Sequence, residues 1–272
     1  LFGRKKHKKE KLISEGKPKA EEKDMGFLDH LGELRTRVIW AFVGLLVGCV
    51  IAGVFIQDIV SYVLLQPAVA HGLKLQNLKP FGQPMMYFKL IFIIGIIISF
   101  PFMLYQLWRF IAPGLYVNER SWARVITFFT SLCFLTGVAF SYFVMIPSML
   151  NFAANFGTKD IINNIDINEY LGFIGMIILA AGLLFEMPMV VFVLSRFGLV
   201  TPKLLRKYRR HSIVLILILA AVITPTPDPI SQLIFAAPLF ILYELSIIVS
   251  KFAAKKYTQK QEENNNNETN DK

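Results

Sequence analysis

The 272-residue chain is poor in charge, in cysteine and in histidine, and each scarcity closes off a class of protein. Charged residues make up 18% of it, against roughly a quarter in soluble globular chains. With 54% hydrophobic residues, 24 Phe and a mean hydropathy of +0.51, a soluble single domain is excluded. The two cysteines, Cys49 and Cys133, lie inside apolar runs without metal-ligand spacing around them. They read as small buried hydrophobes, so neither a disulfide nor a metal site is expected. All four histidines, His7, His30, His71 and His211, fall outside the apolar cores of these runs. Glycine-rich phosphate loops, dinucleotide fingerprints, HExxH and GxSxG are missing. Intramembrane hydrolysis therefore has no visible nucleophile and base, and nucleotide hydrolysis has no common route; no enzyme activity and no cofactor are expected. The N-terminal basic stretch leads into further charge from Glu10 to Asp24 rather than into a short apolar region, so it does not read as a signal peptide.

What the chain has instead is long apolar runs. A backbone crossing lipid must satisfy its own hydrogen bonds as helix, and about twenty apolar residues are needed per pass. Six segments qualify as candidates, at about 38–56, 85–107, 125–147, 170–194, 211–224 and 231–249. The expected fold class is an all-α polytopic membrane protein with six transmembrane helices, both termini on the cytoplasmic side and the last two helices short. Ile213 to Ile223 is about 16 Å of helix against a hydrocarbon core of about 30 Å. That shortness fits either a re-entrant hairpin or a pair of helices that thins the bilayer locally. Residues 1–24 and 256–272 read as disordered cytoplasmic tails around a 25–255 membrane domain.

The net charge of +10 is distributed as a topology signal. With both termini inside, the cytoplasmic segments hold 25 basic residues and the opposite loops only Lys74, Lys79 and Lys159; Lys89 lies inside the second segment and reads as a snorkelling anchor. Such charge faces lipid headgroups, and no nucleic-acid partner is expected.

Against this background a few residues carry the chemistry. Glu186 sits in the middle of the fourth segment, where burying a carboxylate costs about 2.5–3.5 kcal/mol on insertion scales. Pro188, two residues on, removes a helix hydrogen bond and should kink the chain beside it. A functional Glu186 and a structural one bonded to a neighbour such as Gln106 both stand at this point. Glu244 reads as structural. The stretch Phe27–Arg37 has Leu28, Leu31, Leu34 and Val38 at helical spacing with Asp29 placed as an N-cap, an amphipathic helix ahead of the first span. Its Glu33 and Arg37 are four apart in the order that favours a surface ion pair. In the 108–124 loop, Trp108, Phe110, Tyr116 and Trp122 form an aromatic belt, Pro113-Gly114 forces a turn, and Glu119 is the lone acid among basic residues. A carboxylate there can receive a guanidinium in a bidentate pair. Gly44 and Gly48 form a GxxxG that permits close helix approach.

These motifs together resemble the TatC family, the polytopic subunit of the twin-arginine protein translocase. The resemblance covers about residues 25–255 and rests on four stretches in order. They are His30-Leu-Gly-Glu-Leu-Arg-Thr-Arg37, Tyr105 to Tyr116 with Glu119-Arg120, Phe185-Glu-Met-Pro188, and Thr224-Pro-Thr-Pro-Asp228 with Ser231-Gln232. It implies a plasma-membrane receptor for folded precursors whose signal peptides carry paired arginines, with export driven by the protonmotive force. Glu33 and Glu119 then match the acids that receive the two arginines, and Arg35, Phe110, Pro113, Tyr116 and Arg120 the surface around them. Glu186, with Gln106, matches the place where single-span TatA/TatB-type partners dock; Pro67, Asp228 and Gln232 match the outer loops and the start of the sixth segment. Membrane lipids and further copies of the chain complete the implied partners. The competing class is a secondary transporter or channel with Glu186 as a proton relay and helices broken at Pro101 and Pro188; it predicts inverted repeats and several intramembrane polar groups.

Overall fold

The computed structural model describes residues 27–111, 120–155, 164–223 and 229–270. Ten α-helices cover these residues almost completely, and the chain is all-α and polytopic as expected. Helix α1 (Phe27–Asp58) widens through a π-helical turn (Ile59–Leu64) into the short α2 (Gln66–Ala70). Then follow α3 (Gly82–Ile111), α4 (Arg120–Phe140) with a second π-helical turn (Ser141–Met145), and α5 (Ile146–Asn155). The second half holds α6 (Ile167–Leu184), α7 (Met187–Arg196), α8 (Pro202–Lys207), α9 (Arg209–Ile223) and α10 (Pro229–Asn270). The tail expected over 1–24 lies outside the described residues, and α10 continues as helical backbone across most of the stretch read as the C-terminal tail.

Among the described residues, five helical stretches are long and apolar enough to cross a membrane: Leu31–Ala70, Gly82–Ile111, Arg124–Asn155, Ile167–Arg196 and Gln232–Ala253. The fifth expected segment forms α9, whose 15 residues reach about 22 Å at 1.5 Å per residue. Of the two helices expected to be short, only α9 is. The last apolar stretch runs for 22 residues, because Glu244 and Lys251, where the run of apolar letters falters, are carried without any break in the helix. Large apolar side chains such as Val50, Val54, Phe88 and Val222 point outward and are more than two-thirds exposed, which suits contact with lipid tails rather than water.

Three local differences from the sequence reading have simple causes. Asp29 is not an N-cap: α1 already starts at Phe27 and runs unbroken from the amphipathic stretch into the first span. The residue instead falls within the first turn of the helix. Pro101 stays inside α3 without ending it, whereas the chain does break at Phe185–Glu186, leaving Pro188 in the first turn of α7, where its missing N–H is tolerated. A parallel pair of strands, β1 (Lys74–Gln76) and β2 (Asn164–Asp166), links two loops at the end of the bundle away from Glu33, with Leu75 opposite Ile165. Three residues per strand are too few to display a period of two.

Lipid tails are as apolar as leucine, so these helices are held by close packing and hydrogen bonds rather than by the hydrophobic effect. The α1–α3 contact shows how. A Cβ placed on Gly48 would stand 2.6 Å from the Gly95 carbonyl oxygen, and one on Gly95 would stand 2.9 Å from the Cys49 Cα. The second glycine of the GxxxG therefore marks a backbone-to-backbone approach. One core runs from Leu64, Leu90 and Met145 through Leu171, Ile174 and Ile177 to Phe235 and Leu239. A second, around Phe100, Leu104, Trp108, Phe134 and Val193, lies toward the C-terminal end of α3, with the Phe100 and Phe134 rings stacked at 3.7 Å. Tyr170 donates from its hydroxyl to the Leu64 carbonyl at 3.0 Å, satisfying an acceptor in the π-helical turn.

Candidate functional site

The first turns of α1 place Glu33 and Arg37 on one face, and Arg37 Nη2 donates to Glu33 Oε1 at 2.9 Å. Both side chains are about four-fifths covered, with exposures of 19% and 18%. Opposite them the last turns of α3 contribute Met103, Leu104, Gln106 and Phe110 to a cavity of about 290 Å³, closed on the α1 side by Leu34, Arg37 and Val38. Its wall is apolar, with two exceptions. Gln106 is buried with its Oε1 unpaired among the described residues, and Arg37 Nε is likewise buried without a hydrogen-bond partner. Glu33 Oε2 is left to accept further donors, since an ionised carboxylate offers about four lone-pair sites and Arg37 is recorded on Oε1 alone. An acid beside an apolar slot can hold a guanidinium by charge-assisted hydrogen bonds while an adjoining apolar side chain is covered.

Several expected site residues gather here and others do not. Phe110 and Gln106 line the cavity together with Arg37, which carries Glu33 on its outer side, and Arg35 is exposed on α1. Glu119, Pro113 and Tyr116 lie outside the described residues, and Arg120 is placed by its backbone at the start of α4. That puts the chain on both sides of the 112–119 segment at the same end of the bundle as Glu33. Sequence reasoning linked Gln106 to Glu186; its place in the wall beside Arg37 was not legible, because which face of α3 meets α1 is a tertiary fact.

Glu186 occupies the break between α6 and α7. Its carbonyl accepts the amides of Met189 and Val190, each at 3.0 Å, which starts the new helix. The side chain is 7% exposed and its Oε1 has no hydrogen-bond partner among the described residues. Just before it, Phe185 lies against Gly137 of α4, where a Cβ would come within 2.8 Å of the Phe185 side chain. A buried carboxyl oxygen without a partner, inside a span, has one obvious chemistry: accepting or donating one hydrogen bond to a polar group brought in by another helix.

The outer-loop residues are tied down. Pro67 is buried in α2 and its carbonyl accepts from His71 Nδ1 at 2.7 Å. Gln232 Nε2 donates to the Leu217 carbonyl at 3.0 Å, fastening the start of α10 to α9. Asp228 lies outside the described residues. At the other end of the same pair, Arg209 meets Glu244 at 2.5 Å, and Tyr243 donates to the Leu205 carbonyl at 2.6 Å. This explains Glu244 as a structural acid. A buried hydroxyl pair, Ser195 donating to Ser250 at 2.8 Å, locks α7 to α10; nothing in two distant serines signals that they meet.

The family described as "Sec-independent protein translocase protein (TatC)" matches residues 29–238. The Sec-independent protein translocase protein TatC of Koribacter versatilis (strain Ellin345) is 39% identical over 246 residues, covering 89% of this chain and 90% of the relative. TatCy of Bacillus subtilis (strain 168) is 36% identical over 233 residues, covering 85% and 91%. A crystal structure of the twin arginine translocase receptor TatC in DDM superposes with a TM-score of 0.73 at 33% identity, covering 81% of this chain and 99% of that one. Sequence and architecture agree over the same helices, and the chain belongs to the TatC family of Sec-independent protein translocase proteins.

Proposed function

We propose that this chain is the signal-peptide receptor and membrane core of a twin-arginine translocase in the plasma membrane. The observation that carries this reading is the Glu33 carboxylate, paired with Arg37, which itself lines an apolar cavity between α1 and α3. A paired-arginine motif is charged at every cellular pH, and its planar forks match carboxylates in a way that lysine does not. Glu33 takes one arginine through Oε2, and Glu119, in the segment between α3 and α4, takes the other. Phe110 and Leu34 cover the apolar residues beside the motif, with Arg35, Pro113, Tyr116 and Arg120 completing the rim. The Gln106 carbonyl oxygen offers the same peptide one more acceptor.

Glu186 is the docking point for a single-span TatA/TatB-type partner. A polar group on that partner helix satisfies the unpaired Oε1, and the association draws strength from the same shortage of alternatives that makes a buried acid costly in lipid. Six crossings with both termini cytoplasmic fit the charge pattern. In support, Arg209 lies against Glu244 while Leu217 lies against Gln232, so α9 and the start of α10 run antiparallel and return the chain to the basic side. Transport of the folded cargo then draws on the protonmotive force.

The test is site-specific crosslinking from positions between residues 108 and 124 to a signal peptide bearing Arg-Arg, with a Lys-Lys peptide as control. Crosslinks confined to the Arg-Arg peptide are expected; equal crosslinking of the two would remove arginine recognition from the account.

A further inference from the structure

At the end of the bundle opposite Glu33, the N-terminal turns of α3 and α6 diverge around a cavity of about 580 Å³. Lys79 and Lys89 border it, together with Phe81, Met85, Glu169 and Phe173. Lys89 lies seven residues into a span, about 10 Å below the start of the helix. Its ammonium does not simply rise along its own helix toward water. It reaches across to α6, where a Cβ on Gly172 would stand 2.7 Å from Nζ, so the bare glycine is what admits it. No carboxylate of the described residues forms an ion pair with Lys89. Glu169, the acid lining the cavity, sits 3.9 Å from Lys79 with both well exposed, and Asp166 behind Asn168 also faces Lys79, so the nearby acids are directed at Lys79 rather than at Lys89. Asn168 Oδ1 lines the same region unpaired, while its Nδ2 is engaged by Asp166 and Asn77.

Charge and surroundings together name the occupant. On the outward side of the cavity Phe81, Met85 and Phe88 are all more than 70% exposed, an apolar surface continuous with the lipid-facing wall of the span. An anion meeting Lys89 must reach it from lipid, at headgroup depth, with apolar chains lying against those side chains. We propose that this cavity is a binding site for an anionic phospholipid of the outer leaflet, the phosphodiester held by Lys89 with Lys79 at the rim and the acyl chains packed on Phe81, Met85 and Phe173. A bound lipid there splints α3 to α6 next to the β1–β2 pair, at the end of the bundle remote from the recognition acids.

The proposal is tested by native mass spectrometry of the purified chain released from micelles doped with phosphatidylglycerol or with zwitterionic phosphatidylcholine at equal mole fraction. Preferential retention of phosphatidylglycerol is expected, falling about fivefold in Lys89→Gln, as one lysine near a membrane surface contributes. Lys79→Gln, at an exposed rim position that does not endanger folding, is expected to lower retention less, and Lys74→Gln on β1 not at all. Gel filtration and binding of an Arg-Arg peptide at the opposite end report that each variant is folded. Equal retention of the two lipids, or unchanged retention in both Lys89→Gln and Lys79→Gln, overturns the proposal. Displacement of the lipid by millimolar inorganic phosphate, which would make the ligand a free anion, overturns it too, as does displacement by a precursor peptide, which would make this a peptide site.

Discussion

Replacing Glu33 by Gln separates the role of this residue in folding from its role in recognition, because the two contributions differ in size. In the fold, Glu33 makes an i, i+4 pair with Arg37 at 2.9 Å, an interaction worth about 0.2–0.5 kcal/mol on a helix surface. Glutamine keeps the shape and one oxygen acceptor, so the helix loses no more than that. Toward an arginine of a bound peptide the loss is larger. A hydrogen bond to a charged partner contributes about 1.5–3 kcal/mol and a neutral one about 0.5–1.5, leaving a difference of roughly 1–2 kcal/mol, or about 5- to 30-fold in Kd. The readout is anisotropy of a labelled Arg-Arg signal peptide titrated with the purified chain in detergent. Thermal melting of the same sample is expected to be nearly unchanged. Arg37→Gln supplies the internal control: it frees Glu33 Oε1 and removes a like charge beside the incoming arginine, so binding should hold or tighten. If Glu33→Gln binds within twofold of the parent while Arg37→Gln weakens binding, then Arg37 rather than Glu33 meets the peptide and the recognition geometry argued above is wrong.

Two further outcomes follow from the packing and capping of the helices. Asp166 caps α6 through the Asn168 amide at 2.9 Å, and this hydrogen bond holds its carboxyl below the ordinary value of 3.8. A carboxyl depressed in the folded state stabilises it above the unfolded-state pKa, and that contribution is lost as pH falls through the folded-state value. Melting of the parent should therefore decline more than that of Asp166→Asn between about pH 5 and pH 3, and parallel curves would show that the cap carries no charge-dependent stability. Gly48→Val should lower the SDS-unfolding midpoint by the equivalent of about 1–3 kcal/mol through overpacking, since the Gly95 backbone stands 2.6 Å from the new Cβ, whereas Gly53→Ala meets nothing closer than 3.8 Å and should be neutral. Similar losses in the two variants would mean that the α1–α3 approach is not the constraint.

The features read correctly from the sequence share a physical cause, and so do those that were not. Lipid imposes a rule on each segment by itself, that a run of about twenty residues be apolar and helical, so most of the spans and their number within one were legible without knowing any contact. Glu186 drew notice for a related reason, because an acid is conspicuous inside an apolar run, whereas Glu33 was singled out by the motif around it, among other acids of the same basic stretch. Residues whose meaning depends on a neighbouring helix left no such trace. Gln106 faces the α1 cavity, Ser195 meets Ser250, Glu244 meets Arg209, and Gly95 receives the backbone of α1. Each of these pairs joins positions on different helices, and each is polar or small, as lipid-embedded contacts tend to be. The misread ends of elements have the same origin. Composition marks where apolarity stops, as at Glu244 and Lys251, but a helix ends where its backbone hydrogen bonds find other partners, and α10 needs none there. It follows that in this chain an acid such as Glu186 stands out because it breaks the rule lipid imposes, while the residues that join one helix to another obey it and stay silent until the helices are packed.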